Sequence, residues 1–181
     1  MFELSKFQLP SNFRGRSSIT VQFWWFVQAS LFGCSPQFMY GWRRFILRCF
    51  GAKIGKGAII RPSAQITYPW KVTIGDYSWV GDEVVLYSLG DIEIGNNTVI
   101  SQRSYICTGS HDYTKIDFPI YSKKIVIEDA CWLATDVFVA PGITIKQGTV
   151  VGARSSVFKD LEAFSMYAGS PAKFIKKRDV E

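Results

Sequence analysis

His111 is the only histidine among 181 residues, and so the only imidazole that can shuttle a proton at neutral pH. A neutral imidazole takes a proton from a hydroxyl and returns it within one turnover. One histidine cannot supply the three imidazoles of a tris-histidine zinc site. The four cysteines, Cys34, Cys49, Cys107 and Cys131, form no Cys-x-x-Cys pair and show no zinc spacing. They read as small thiols in a reducing compartment, and no metal is expected. His111 is followed directly by a polar, aromatic stretch over 112–126, with Asp112, Tyr113, Lys115, Asp117 and Tyr121 and a stiffening Pro119. Taken alone, such a histidine is a surface residue at a corner; a long adjoining loop gives it a reason to be there. Cations gather at Arg43, Arg44 and Arg48, and again at Lys173, Lys176, Lys177 and Arg178, within a net charge of +6. Neither cluster has the aromatic interleaving of a single-strand binder, so no nucleic-acid partner is expected. A phosphorylated ligand or an anionic membrane fits the charge equally well.

The element that must position His111 is a six-residue beat. Aliphatic residues open successive hexads at Ile54, Ile60 and Ile66, at Ile74, Val80 and Leu86, and at Ile94, Ile100 and Ile106. The beat resumes at Ile127, Leu133, Val139, Ile145, Val151 and Val157, which makes fifteen hexads. Hexads group in threes, so the pattern predicts a five-coil β-solenoid over 54–162 with inward aliphatics stacked about 4.8 Å apart. The steps from Ile66 to Ile74 and from Leu86 to Ile94 are eight residues, and that from Ile106 to Ile127 is twenty-one. All three excesses follow the third hexad of a coil, so they fall at one corner of a triangular prism. Glycine at the second position, as in Gly55, Gly75, Gly81, Gly95 and Gly152, is read as relaxing the backbone where the chain turns.

Residues 1–53 form an N-terminal segment. The first sixteen look irregular, and Ser17–Trp42 carries no charge. Ile19–Phe32 is apolar, yet Gln22, Gln28 and Ser30 interrupt it, which favours a docking or interfacial helix over a spanning one. Ser35-Pro36 reads as N-cap and N1 of a second helix ending at Phe50, with Gly51 beyond it. Met39, Trp42, Ile46 and Phe50 share one face of that helix, with Arg44 and Arg48 opposite. These helices are expected to cap the open end of the solenoid, and their arginines also suit an anionic lipid surface. Met1–Pro10 lacks a basic start followed by an apolar run, so no cleavable signal is expected and the reading places the protein in the cytoplasm, with the inner membrane face within reach. Residues 163–181 read as a basic tail with a turn and a short helix.

The motifs Cys107-Thr-Gly-Ser-His-Asp-Tyr, Trp132-Leu-Ala, Pro141-Gly, Lys159-Asp-Leu and Gly169-Ser-Pro-Ala-Lys173 give the chain a family likeness. It resembles the hexapeptide-repeat O-acetyltransferases, and within them the colanic acid biosynthesis type, along nearly its whole length. The resemblance implies a mainly β fold, a left-handed parallel β-helix, the hand coming from the resemblance and not from the spacing. It implies acetyl-CoA as acyl donor, a sugar hydroxyl of a surface polysaccharide as acceptor, and direct transfer without an acyl-enzyme. By position, His111 resembles the general base and Trp132 the tryptophan walling the acceptor and thioester site. Thr135, Gly152 and Ala153 stand where backbone groups would hold the pantetheine arm, and Lys159, Lys173 and Lys176 where lysines would meet the CoA phosphates. The family's acceptor-contacting asparagine is missing; Gly81-Asp82-Glu83 occupies its place, with Asp82 as stand-in and Asp112 as second acceptor-side carboxylate. A homotrimer with sites between protomers is also implied. The competing readings are a non-catalytic solenoid scaffold, an acyltransferase with an amine or other non-sugar acceptor, and a zinc hydrolyase that the histidine count opposes.

Overall fold

The computed structural model describes residues 2–179. Its body is a three-faced parallel β-solenoid. Face one stacks Lys53–Ile54, Val72–Ile74, Ile92–Ile94, Ile125–Ile127 and Thr144–Ile145. Face two stacks Ile59–Ile60, Trp79–Val80, Val99–Ile100, Trp132–Leu133 and Val150–Val151, and face three Gln65–Ile66, Val85–Tyr87, Tyr105–Cys107, Phe138–Val139 and Ser156–Val157. The register pairs each hexad-opening aliphatic with its equivalent one coil away, as Ile74 with Ile94 and Leu86 with Ile106. These side chains fill the prism axis and are buried from end to end. Hydroxyls at the fifth position are buried too, and each closes a bond across coils: Thr98 Oγ1 donates to Glu128 O at 2.7 Å and Ser104 Oγ to Ala134 O at 3.0 Å. A small polar residue is therefore tolerated inside because its one donor is satisfied.

The glycines work differently from the expectation. The left-handed residue of a corner is the fourth of the hexad, as in Tyr77, Asn97, Ala130 and Asp136, and not the glycine at the second. The second position needs glycine for space: a Cβ on Gly75 would sit 2.5 Å from the carbonyl carbon of Gly95. Close coil-to-coil approach, not turning, selects it.

Two features extend past the reading. The beat stops at Val157, but Leu161 bridges to Ile145 and Ser165–Ala168 pairs in parallel with Val150–Val151, starting a sixth coil. Lys173–Lys177 is then a strand antiparallel to Ser165–Ala168, where a short helix was expected. Its backbone pairs with the last exposed edge, and that outweighs any local helical preference of a five-residue segment.

At the other end, α1 (Ser18–Val27) is capped by Ser17, whose Oγ accepts from Thr20 N. The chain continues through a widened turn, Gln28–Phe32, to α2 (Tyr40–Cys49). α2 begins at Tyr40 and not at Pro36, because Ser35 Oγ and Pro36 O serve as acceptors for the Arg43 guanidinium. Gly51 beyond the helix is left-handed, as expected. The arginines do not all point away from the core. Arg43 is fully buried and donates to Ile60 O at 2.6 Å; Arg44 reaches Ala58 O at 2.8 Å and Arg48 Ile54 O at 3.0 Å. On face three, Trp24 Nε1 donates to Ile66 O and Gln28 Oε1 accepts from Ile66 N, both at 2.7 Å. Each face of the first coil thus has an open backbone carbonyl capped by a side chain, which is how an exposed sheet edge is made safe. No described helix is long and apolar enough to cross a membrane.

Candidate active site

His111 sits where face three hands over to face one, at the corner that received every insertion. The excursion is not an irregular loop but a β-hairpin, Gly109–His111 paired with Ile120–Ser122, with Asp112–Pro119 at its tip. Its root is tied to the solenoid by Lys123 N–H donating to Thr108 O, and by Thr108 Oγ1 accepting from Gly90 N–H.

The imidazole has one fixed hydrogen bond. His111 Nδ1 lies 2.9 Å from Phe118 O. A carbonyl oxygen only accepts, so Nδ1 carries the proton and Nε2 presents its lone pair. The ring lies flat on Phe118, with centroids 4.3 Å apart and planes 8° from parallel. Phe118 itself adopts a left-handed φ of 45°, which turns its carbonyl back toward the histidine. Half-buried and held in one tautomer, His111 has no hydrogen-bond partner on Nε2 among the described residues.

Asp112 does not support the imidazole. Its Oδ1 accepts from Thr114 N–H and Thr114 Oγ1, and those bonds hold its carboxyl below the usual range. Asp82 lies at the corner between faces two and three, gripped by Arg61 Nε at 2.9 Å and Ser63 Oγ at 2.9 Å. Trp132 stands on face two, half exposed, its Nε1 3.1 Å from Ser101 Oγ. Face two is opposite the His111 corner in a triangular prism, so one chain does not bring His111 and Trp132 together.

The residues matched to the cofactor lie in three places. Thr135, Gly152 and Ala153 are neighbours on successive coils at the corner of faces two and three. The N–H of Gly152 is already bonded to Tyr167 O at 2.8 Å, and Thr135 O accepts from Arg154 N–H. Ala153 is exposed, and its backbone makes no hydrogen bond among the described residues, which leaves it the better-placed group for an amide-bearing ligand. Lys159 shares the His111 corner two coils further on, about 10 Å along the axis. Lys173 and Lys176 are exposed on the last strand beside face two.

One aromatic residue escaped the reading. Trp79 projects from face two, 52% exposed, into a groove of about 260 Å³ shared with Arg61, Gly81, Ser101 and Gln102. A tryptophan at an outward sixth position of a hexad was the available signal. Another groove, about 480 Å³ on face one, is lined in part by Glu93, Glu128 and Asp129, and its charge would repel a polyphosphate. Among the described residues, no group of three metal-ligating side chains converges.

No protein-family model matches the chain. It is 61% identical over 178 residues to the Escherichia coli (strain K12) protein provisionally named colanic acid biosynthesis acetyltransferase WcaF, covering 98% of each chain. Among solved structures, a maltose O-acetyltransferase from Clostridium difficile 630 superposes with a TM-score of 0.81 at 26% identity, covering 91% of this chain and 90% of the other. A hexapeptide-repeat acetyltransferase from Vibrio cholerae O1 biovar eltor in complex with acetyl coenzyme A shares the fold, with a TM-score of 0.81, 23% identity and 92% coverage of both.

Proposed function

The chain belongs to the hexapeptide-repeat acetyltransferases of the WcaF kind, and from that premise we propose that it moves an acetyl group from acetyl-CoA to a sugar hydroxyl, with His111 as general base. The observation that carries this reading is the fixed tautomer: Nδ1–H is held by Phe118 O, so Nε2 is free to take a proton. The acceptor hydroxyl gives its proton to Nε2 as its oxygen attacks the thioester carbonyl. The C–S bond breaks, and the imidazolium returns the proton to the leaving thiolate. No covalent enzyme intermediate is needed, because the thioester is already activated.

The separation of His111 from Trp132 and Ala153 on one chain favours a site completed by a second copy. In a cyclic trimer, His111 of one protomer would face the Trp79 and Trp132 side of its neighbour. Arg61, Ser101 and Gln102 around Trp79 suit a sugar, which presents hydroxyls at its rim and an apolar ring face for stacking. Lys159, Lys173 and Lys176 would meet the CoA phosphates. The uncharged helix α1 exposes Ile19, Phe23 and Phe26 along one side, and this side is the natural peripheral contact with a bilayer that carries a lipid-linked glycan. Light scattering reads the trimer, and vesicle flotation reads the membrane contact.

The deciding experiment is His111→Ala. We expect kcat to fall about 10²–10⁴-fold with CoA affinity retained in calorimetric titration. The acceptor is found by mass spectrometry, as the gain of one acetyl on candidate repeat-unit sugars. More than about a tenth of wild-type kcat in His111→Ala would reassign the proton transfer.

A further inference from the structure

Residues 2–7 lie against the hairpin that carries His111, more than a hundred positions away in sequence. Glu3 N–H donates to Ile116 O at 2.7 Å, adding a backbone bond to the hairpin tip. Phe2 stacks on Phe118 with ring centroids 4.4 Å apart. Phe118 in turn stacks on His111 from its other face, so three rings form one pile: Phe2, Phe118, His111. Phe7 closes on the imidazole at 5.9 Å and 52°. Between them, Leu4–Lys6 makes a single helical turn, and Lys6 pairs with Glu3 at 2.8 Å. Further along, the same segment is moored to the solenoid by Trp70 Nε1 on Arg14 O and Lys71 Nζ on Phe13 O, each at 2.8 Å.

A two-stranded hairpin projecting from a prism corner has little stability of its own. Its tip must nevertheless hold Phe118 in a left-handed conformation, because that conformation aims the carbonyl at His111 Nδ1. An exposed hairpin tip without a partner would sample other conformations and release that bond. Among the described residues, the hydrogen bond from Glu3 is the one that reaches residues 112–119 from outside the hairpin. The N-terminal arm is what packs there.

We propose that residues 2–7 are a positioning element for the reaction: Phe2 and Glu3 brace the Phe118 carbonyl, Phe7 limits the tilt of the imidazole, and together they hold the Nδ1–H tautomer and the aim of Nε2. This rests on the reading of His111 as general base. The arm acts through His111 and includes none of the residues matched to the donor, so its loss appears in kcat and not in CoA affinity. A misplacement on the order of 1 Å at a catalytic group costs about 10²-fold.

The test uses the full-length protein with Phe2→Ala, Phe7→Ala and Phe7→Tyr. His111 being the sole histidine, its ring nitrogens give one pair of signals in a long-range proton–nitrogen NMR spectrum. In the wild type, they should report a single Nδ1–H tautomer. In the alanine variants, we expect mixed-tautomer shifts, kcat lower by about ten- to a hundredfold, unchanged CoA titration and a melting temperature near wild type. Phe7→Tyr should restore both the spectrum and the rate. In the His111→Ala background, Phe7→Ala should lower kcat no further, because two changes acting through one group are not additive. Wild-type rate and spectrum in Phe2→Ala and Phe7→Ala would overturn the proposal, and so would an equal loss in the His111→Ala background. His111→Ala alone tests the base assignment, so failure of that reading is distinguishable from failure of the arm.

Discussion

The prism has two strict corners and one permissive corner, and their difference separates what folds this protein from what it does. At the corner between faces one and two, each coil is stitched to the next by a side-chain oxygen. Asp76 Oδ1 accepts from Lys56 N–H, Asn96 Oδ1 from Asp76 N–H and Asp129 Oδ1 from Asn96 N–H, each at 2.7 Å. The corner between faces two and three alternates charge, with Arg103 on Asp136 at 2.8 Å and Arg154 near the same carboxylate. Those ladders require a residue of the right kind at each level, so an insertion would break the bond above and the bond below. The third corner has hydroxyl bonds between its early coils, Tyr68 N–H to Ser88 Oγ and Gly90 N–H to Thr108 Oγ1, each at 2.8 Å, but its length is not held constant from coil to coil. A single 3₁₀ turn at Pro69–Lys71 fits there, and so does the whole hairpin of His111. The candidate base sits where the coil is free to change length.

The comparison breaks most severely at Gly75. Adding one methyl there presses on backbone with no room to move, so Gly75→Ala should cost about 3 kcal/mol, at the upper end of overpacking effects. Urea denaturation measures it; an unchanged midpoint would mean the strict corner is looser than its contacts say.

A second contrast uses two thiols. Cys131 is buried at the strict corner, and burial pushes its thiol up to about 11. Cys107 enters the permissive corner half-buried, also raised by burial. Cys107 should be labelled through local opening of the hairpin root and Cys131 only through global unfolding, giving rates that differ by about tenfold or more. Peptide mapping after timed alkylation reads both; equal rates would erase the distinction. The exposed Cys34 and Cys49 serve as the fast reference.

The smallest effect concerns the charged ladder. The Arg103 hydrogen bond depresses the Asp136 carboxyl below its ordinary 3.8. A depressed carboxyl stabilises the fold above the unfolded value and loses that contribution as pH falls through the folded one. The melting-temperature gap between wild type and Asp136→Asn should therefore be present at neutral pH and close below the ordinary carboxylate range. A gap that persists in strong acid would assign the effect to packing instead.

What the sequence revealed follows the same division. Strict corners repeat, and repetition is legible: the coil length, the inward aliphatics and the site of every insertion all follow from counting to six. The sixth coil carries no beat, since Leu161, Ser165 and Tyr167 reach their positions through uneven steps, and so it was missed. The strand Lys173–Lys177 was read as a helix because its five residues show charge but not the edge they pair with. Arg43 was placed in a basic cluster, although the first coil of any solenoid must present unpaired carbonyls and three nearby arginines are apt donors. His111 stood out by being unique. Its orientation did not, because Phe2, Phe7 and Phe118 are ordinary apolar residues until the fold brings their rings together.

The sealed ends have a consequence for length. Arg43, Arg48, Trp24 and Gln28 finish one end of the prism with side chains, and a reversed strand finishes the other, so the coils between them need only match one another. Height becomes a free dimension. A lineage can lengthen or shorten the column by whole storeys while keeping the same foundation and the same roof. On the proposed function, the span from the hairpin to the lysines near the roof can thus be fitted to the reach of the acyl donor.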